Sequence, residues 1–191
     1  MLCVDKLCRK GADYGMGQIN PFKPEKLVMP ILISHTQMRL SLLEELQTRY
    51  GRIDYISIDL PFSYTRYYDE EMGTPITRFF VSFLRLIDPG ILARIKSETN
   101  VLESRFCEEG KRKVNIDPGL LSLSRFVLAS SKDGSHRVPL SDGVFAEVTL
   151  VYERGSYRPL EWTYPDYRSE EYLAILADIR KLYRVEARGI D

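Results

Sequence analysis

KVNIDPGLLSLSRFVLASSKDGSHRVPLSDGVFAEVTLVY, Lys113–Tyr152, is the stretch on which the reading of the fold turns. Its first residues read as a short strand closed by Asp117-Pro118-Gly119. That trio is a turn signal: the aspartate accepts from nearby backbone N–H groups, the proline fixes φ, and the glycine permits a tight bend. Two readings compete beyond it. Leu120, Leu123, Phe126 and Val127 share one face of a helix, whereas LSLSRFVLA also alternates like a strand. A short helix or turn passing into a strand is expected. Ser141-Asp142-Gly143 then joins HRVPL to VFAEVTLVY as a hairpin, and Arg154-Gly155-Ser156 turns into a last strand, YRPLEW.

Working outward, LVMPILIS from Leu27 reads as a buried strand, with Pro30 suggesting an edge or a bend. Ser34 or Thr36 can cap a helix through Tyr50, stopped by Gly51, with Met38, Leu42, Leu43 and Leu46 on one face. IDYISIDL is a second strand, PFSYTRYYDEEMGTP a loop with room for a short helix, and ITRFFVSFLRLI a third strand. Asp88-Pro89 opens a helix with Ile91, Leu92, Ile95, Thr99, Leu102 and Phe106 inward and Gly110 at its end; KRKVNI is a fourth strand. Ser169 starts a last amphipathic helix carrying Tyr172, Leu173, Leu176, Ile179 and Tyr183. The expected fold class is α+β: a split βαβ (ferredoxin-like) sheet with an antiparallel β-hairpin extension and a C-terminal helix. Residues 1–26 are expected to be a flexible tail and 27–191 a single domain.

The 191 residues are 44% hydrophobic and 28% charged, with 27 basic and 27 acidic side chains. Zero formal charge argues against a dominant surface for duplex nucleic acid. The apolar runs are too short to span a bilayer and no secretory signal is legible, so no membrane partner and a cytoplasmic location are expected. Cys3, Cys8 and Cys107 suggest no disulfide framework, and Cys107 is expected to pack near a helix end.

No GxxxxGKS/T phosphate loop, GxGxxG turn, GxSxG elbow, HExxH helix or CxxC pair occurs. The two histidines, His35 and His136, stand in HTQ and HRV contexts, unlike those of two-histidine phosphoesterases; His35 reads as a capping or surface residue. Four segments remain. Asn115 and Asp117 could hold a metal or a sugar hydroxyl, or Asp117 could simply cap its turn. Lys132, Ser135, His136 and Arg137 gather donors for an oxyanion. Glu147 shares a strand face with Thr149 and is a base or metal ligand if that face meets a cavity. Tyr67 and Tyr68, with Trp162, Tyr164 and Asp166, could wall a base or sugar. His136 and Lys132 are expected to point at Asp117 or Glu147, and Arg137 to pair with an acid on the opposite face.

The function that follows is binding of, or action on, a nucleotide or other phosphate-bearing small molecule. Lys132, His136 and Arg137 would contact the anion and Asp117 and Glu147 would be acid/base groups or Mg²⁺ ligands, with Asp117, His136 and Glu147 as the catalytic residues. The alternative is a non-enzymatic protein-interaction domain using the tyrosine-rich loops. A cleft gathering side chains from the loops near 67, 117, 136 and 166 would favour the first, and a flat aromatic patch the second.

The chain resembles the bacterial domain of unknown function 4416 family over about residues 27–184. The likeness rests on an ordered set: YY-EEMG (Tyr67 to Gly73), LIDP (Leu86 to Pro89), IKSETN (Ile95 to Asn100), N-I-DPG (Asn115 to Gly119), SKD-SHR (Ser131 to Arg137), AEVTL-Y (Ala146 to Tyr152) and WTYPDYRS (Trp162 to Ser169). The resemblance brings no established activity. Some members carry an automatic GTP-binding label, and this chain has neither a phosphate loop nor an NKxD guanine-reading motif.

Overall fold

The computed structural model describes residues 19–189. In chain order the elements are β1 (Glu25–Ile33), α1 (Arg39–Tyr50), β2 (Ile53–Ile56), β3 (Leu60–Pro61), α2 (Asp69–Met72), β4 (Thr77–Ile87) and α3 (Leu92–Ser104). A small hairpin follows, β5 (Cys107–Glu108) and β6 (Lys111–Arg112), then β7 (Val114–Ile116), β8 (Gly119–Leu121) and β9 (Arg125–Ser130). Last come β10 (Val138–Pro139), β11 (Phe145–Glu153), β12 (Ser156–Pro159) and α4 (Glu170–Glu186). The main sheet runs β10-β11-β9-β8-β1-β4-β2, with β7 also on β1, β3 on β4 and β12 on β11. Its ladders are antiparallel, and β4 separates β1 from β2. The class is therefore α+β, with a C-terminal helix.

The sheet is covered on both sides. Leu27, Met29, Ile31 and Ile33 of β1, with Phe79, Val81 and Phe83 of β4, face Leu42 and Leu46 of α1 and Ile95 and Leu102 of α3. The alternate residues, Val28 and Phe80, join Phe126 and Leu150 against Tyr172, Leu176 and Ile179 of α4. A strand buried on both faces must be apolar almost throughout, which is why LVMPILIS reads as an unbroken run. Each large side chain so buried contributes about 1.5–3 kcal/mol of transfer free energy.

Pro30 does not mark an edge: β1 is central, and all nine of its residues are buried. β8 pairs with Lys26–Val28 and β7 with Ile31–Ile33, leaving a gap between them. The Pro30 carbonyl accepts from the Asp117 amide at 3.0 Å inside that gap. A strand residue points its N–H and C=O to the same side, so the donor that Pro30 lacks faces Asp117-Pro118, where the neighbouring strand is itself interrupted. β1 also begins at Glu25, before the expected boundary at residue 27, because Lys26 is buried by a charge network rather than left in a tail.

After Asp117-Pro118 the chain continues as β8 and β9, not as a helix. The alternating pattern wins because Gly119 lies between Val28 of β1 and Leu128 of β9. A Cβ there would stand 2.6 Å from the Val127 carbonyl oxygen and 2.9 Å from the Phe126 ring. Gly119→Ala should cost about 1–3 kcal/mol of stability by overpacking, read as a lower urea midpoint with an unchanged slope.

Gly110 does not end α3. The helix stops at Ser104, and Gly110, at φ 75°, makes the β5–β6 turn. Neither Ser34 nor Thr36 caps α1, whose entry is a single 3-10 turn, Thr36–Met38. Ser34 Oγ instead donates to the Met72 carbonyl at 2.8 Å and ties β1 to α2. Ser169 does cap α4, accepting from the Tyr172 amide. Cys107 lies just past α3 but is exposed, while Cys3 and Cys8 lie outside the described residues.

Candidate site: an aromatic and cationic corner beside a buried charge network

Two side-chain clusters meet at one end of the sheet. The inner one is built on the gap between β7 and β8. Arg78 reaches it from β4 on the α4 face and Lys96 from α3 on the other face, so charges from both layers meet at Asp117. Arg78 donates to Asp117 Oδ2 at 3.4 Å and to Asp166 Oδ2 at 3.2 Å, with the Tyr167 hydroxyl at 3.4 Å. Asn115 Nδ2 donates to Asp117 Oδ2 at 2.9 Å, and Lys96 Nζ lies 3.6 Å from Oδ1 while donating to the Ile116 carbonyl at 2.8 Å. Glu103 accepts from the Ile116 amide at 2.8 Å and from Arg112 at 2.7 Å, and Arg112 goes on to Glu71 of α2.

Burial opposes the charge on Arg78, but Tyr167, Asp117, Tyr172 and Asp166 more than offset it, so its pKa is raised and the guanidinium stays charged. Burial raises the Asp166 carboxyl, with Arg78 opposing. It raises Glu103 likewise, with Lys96 opposing. Tyr68 is raised by burial first and then by the charge of Asp117, which keeps its phenol a neutral hydroxyl beside the network.

The outer cluster is a corner of exposed loops. Glu147 of β11 is buried, and its Oε2 takes both His136 Nε2, at 3.1 Å, and Arg137 Nε, at 2.9 Å. Arg137 also donates to the Lys132 carbonyl at 2.8 Å and approaches the Tyr164 hydroxyl at 3.4 Å. The His136 ring stacks on Trp162 at 5.6 Å and 16°, and the indole N–H donates to the Val148 carbonyl at 2.8 Å. Lys132 Nζ lies 4.1 Å above the Tyr67 ring, and Tyr67 packs edgewise with Tyr68. Two open grooves lie away from the outer cluster, the second at the Glu103–Arg112–Glu71 end of the inner one. One runs between α1 and β2, and the other, of about 430 Å³, is lined by Glu70, Glu71, Glu103, Cys107 and Arg112.

The segments near 67, 117, 136 and 166 do come together, but as an open corner with Tyr67, Trp162 and Tyr164 exposed rather than as a cleft. Lys132 meets Tyr67, Arg137 meets Tyr164, and Asp117 and Asp166 share Arg78. His136 points at Glu147 as one of its two expected partners. Arg137 does not pair with an acid on the opposite face; it shares Glu147 with His136. The reason is backbone geometry. Residues 131–137 are a turn, with the Arg137 amide bonded to the Gly134 carbonyl, and strand alternation begins only at Val138. Lys132 turns to Tyr67 rather than to a carboxylate, and Ser135 is exposed.

Asp117 and Glu147 do not come together as a Mg²⁺ pair: the first is held by Arg78, Asn115 and Lys96, the second by His136 and Arg137. Among the described residues no group of three or more His, Cys, Asp or Glu is placed to hold a metal ion. His35 occupies the cap position of the 3-10 turn that precedes α1, without a side-chain capping bond, and its Nδ1 lies 2.8 Å from Glu108.

Arg78, Lys96 and Glu103 were not singled out by sequence, although a signal existed. Arg78 stands directly before the apolar run Phe79–Val81 in a strand buried on both faces there, and Lys96 and Glu103 stand seven apart on the inward stripe of α3. No helix among the described residues is long and apolar enough to cross a membrane. No curated protein and no solved structure shows a significant match to the chain. A family match covers residues 23–183, taking in β1 through most of α4 with both clusters, and the chain belongs to that family, the domain of unknown function DUF4416.

Proposed function

We propose that the outer corner binds a phosphate-bearing ligand. The observation that carries this reading is the convergence of Lys132, His136 and Arg137 with Tyr67 and Tyr164. Lys132 has an aromatic ring, not a carboxylate, as its partner, and Arg137 holds Tyr164 at 3.4 Å, the outer limit of a hydrogen bond. An incoming oxyanion would replace weak contacts with charge-assisted ones. Glu147 then acts as the buried counter-charge that aims both His136 and Arg137, and the Arg78–Asp117–Lys96 network fixes the loop ends beneath. The exposed tyrosines give a second reading, a protein-binding surface, since Tyr, Trp and Arg are the residues enriched at such interfaces.

The test is a thermal-shift series with inorganic phosphate, pyrophosphate and phosphorylated metabolites. A ligand at about a hundred times its Kd adds about 2.7 kcal/mol to stability, which for a chain of this size raises Tm by roughly 5–10 °C. Lys132→Ala should weaken the same ligand about tenfold and leave the ligand-free Tm where it was, because the side chain is exposed. A flat series, or a Lys132→Ala variant with undiminished affinity, sinks the reading.

The fold supports a finer inference as well. The strand order β7/β8–β1–β4–β2, with α1 and α3 together on one face, fits a split βαβ (ferredoxin-like) unit. To that unit the chain adds β9–β12 beyond β8 and α4 on the face such a sheet leaves open.

A further inference from the structure

Three of the five exposed aromatic side chains among the described residues, Tyr67, Trp162 and Tyr164, lie on the same corner as Lys132, His136 and Arg137. A ligand of metabolite size is ordinarily engulfed by the pocket that selects it. Here the rings stand out instead: Tyr67 is 59% exposed and Tyr164 51%. Resting on the reading above, we propose that the phosphate-bearing ligand is a short unpaired nucleic-acid strand, its bases stacked on these rings and its phosphates on Lys132 and Arg137.

The parts suit that ligand one by one. Trp162 is a fixed platform, with one face stacked on His136 and its N–H held by the Val148 carbonyl. Arg137 is set between Glu147 and Tyr164, so a cation stands beside a stacking ring. Lys132 rests on Tyr67 through a contact that is weak at an exposed site. Moving the ammonium to a phosphate frees that ring for a base. Tyr64, packed edgewise on Tyr172 at the start of α4, extends the row on the far side of Phe62 and Tyr68.

Charge selects the unpaired strand over the duplex. The chain has zero formal net charge, and the acidic Asp133 sits in the same loop as Lys132, so the corner lacks the broad basic surface a duplex needs. Stacking on aromatic rings needs exposed base faces, which a duplex hides, and it tolerates any base sequence. A protein ligand is the weaker alternative, because neutral side chains would leave the Lys132 ammonium on the Tyr67 ring without an anion.

The single tryptophan, Trp162, lies in the corner and reports on it directly. The full chain is titrated with uridine and thymidine mononucleotides and with oligomers of about four and about eight nucleotides. Trp162 fluorescence is followed alongside the anisotropy of labelled strands. The expected result is quenching of Trp162 and affinity at least about tenfold higher for the four-residue strand than for the mononucleotide. Tyr67→Ala and Tyr164→Ala should each weaken the strand roughly tenfold. The logarithm of affinity should fall with the logarithm of salt at a slope of about −0.7 per phosphate held, and Lys132→Ala should make it shallower by about 0.7.

If mononucleotides or inorganic phosphate bind as tightly as the strands, or if duplex competes equally, the strand proposal is overturned while the phosphate site stands. If no phosphate-bearing compound of any length binds, both are overturned.

Discussion

Arg78→Met is expected to lower the stability of the chain by about 3–5 kcal/mol, a fall of roughly 10 °C in Tm at this size. Methionine fits the aromatic surround of Phe62, Tyr167 and Tyr172, so the loss is not a packing loss. It arises because Asp166, buried, and Asp117, partly buried, lose the guanidinium between them. Removing one partner of a buried pair leaves the other's desolvation uncompensated.

The defect should also depend on pH, with a definite sign. Burial already raises the Asp166 carboxyl against Arg78, and without Arg78 it must rise further. A carboxyl whose folded pKa exceeds its unfolded value binds protons first in the folded state, so stability falls as pH rises through that folded pKa. The difference between the natural chain and Arg78→Met should therefore be largest at neutral pH and shrink as pH falls toward about 4, the unfolded carboxyl value. Adding Asp166→Asn should recover part of the loss at pH 7 and flatten the pH dependence. Urea unfolding at several pH values reads all of this, and a pH-independent loss would show that packing, not charge, holds Arg78.

The second large effect is expected at Lys26. This side chain, with 0% exposure, is the most deeply placed cation of the sheet. Its Nζ donates to the Phe83 carbonyl at 3.0 Å and to both Glu186 oxygens, at 2.8 and 2.9 Å, and pairs with Asp54, which itself accepts from Ser82. The cluster joins the start of β1, the edge strand β2 and the last turn of α4. Lys26→Met should cost about 3–5 kcal/mol, since two carboxylates are left without their cation.

Glu186 carries the local signature: its carboxyl is raised by burial, with Lys26 opposing and Asp54 adding to the rise. Pairing Lys26→Met with Glu186→Gln should lose less than the sum of the two single losses. Amide exchange in the last turns of α4 should quicken more than in β4, because the α4 terminus loses its anchor while β4 keeps its ladders. Equal acceleration in both would contradict a local anchoring role.

The elements were legible because burial writes a period into the chain. The apolar runs at 27–34 and 76–87, the inward stripes of α1, α3 and α4, and the hairpin turns at 141–143 and 154–156 could all be read from residue type alone. So could the family, and so could the grouping of Lys132, His136, Glu147 and the tyrosine-rich loops as candidates. A periodic pattern says that a face is covered but not by what. Pro30 therefore looked like an edge signal until the break between β7 and β8 was seen beside it. Gly119 reads as a tight bend with helix and strand both open beyond it, and Val127 and Phe126 pressed against it decide for the strand.

Only the tertiary structure decided the charges. Arg78 meets Asp117 across 39 positions and Asp166 across 88, and Lys26 meets Glu186 across 160. No local pattern encodes a partner at that distance. The same holds for the sharing of Glu147: His136 and Arg137 are neighbours that a strand would point apart, and the turn at Gly134 aims them at one oxygen. Sequence determined which residues are apolar, which can turn and which carry charge. The fold determined which charges are sealed together, because leaving any of them alone in a covered sheet would cost a large fraction of the chain's net stability.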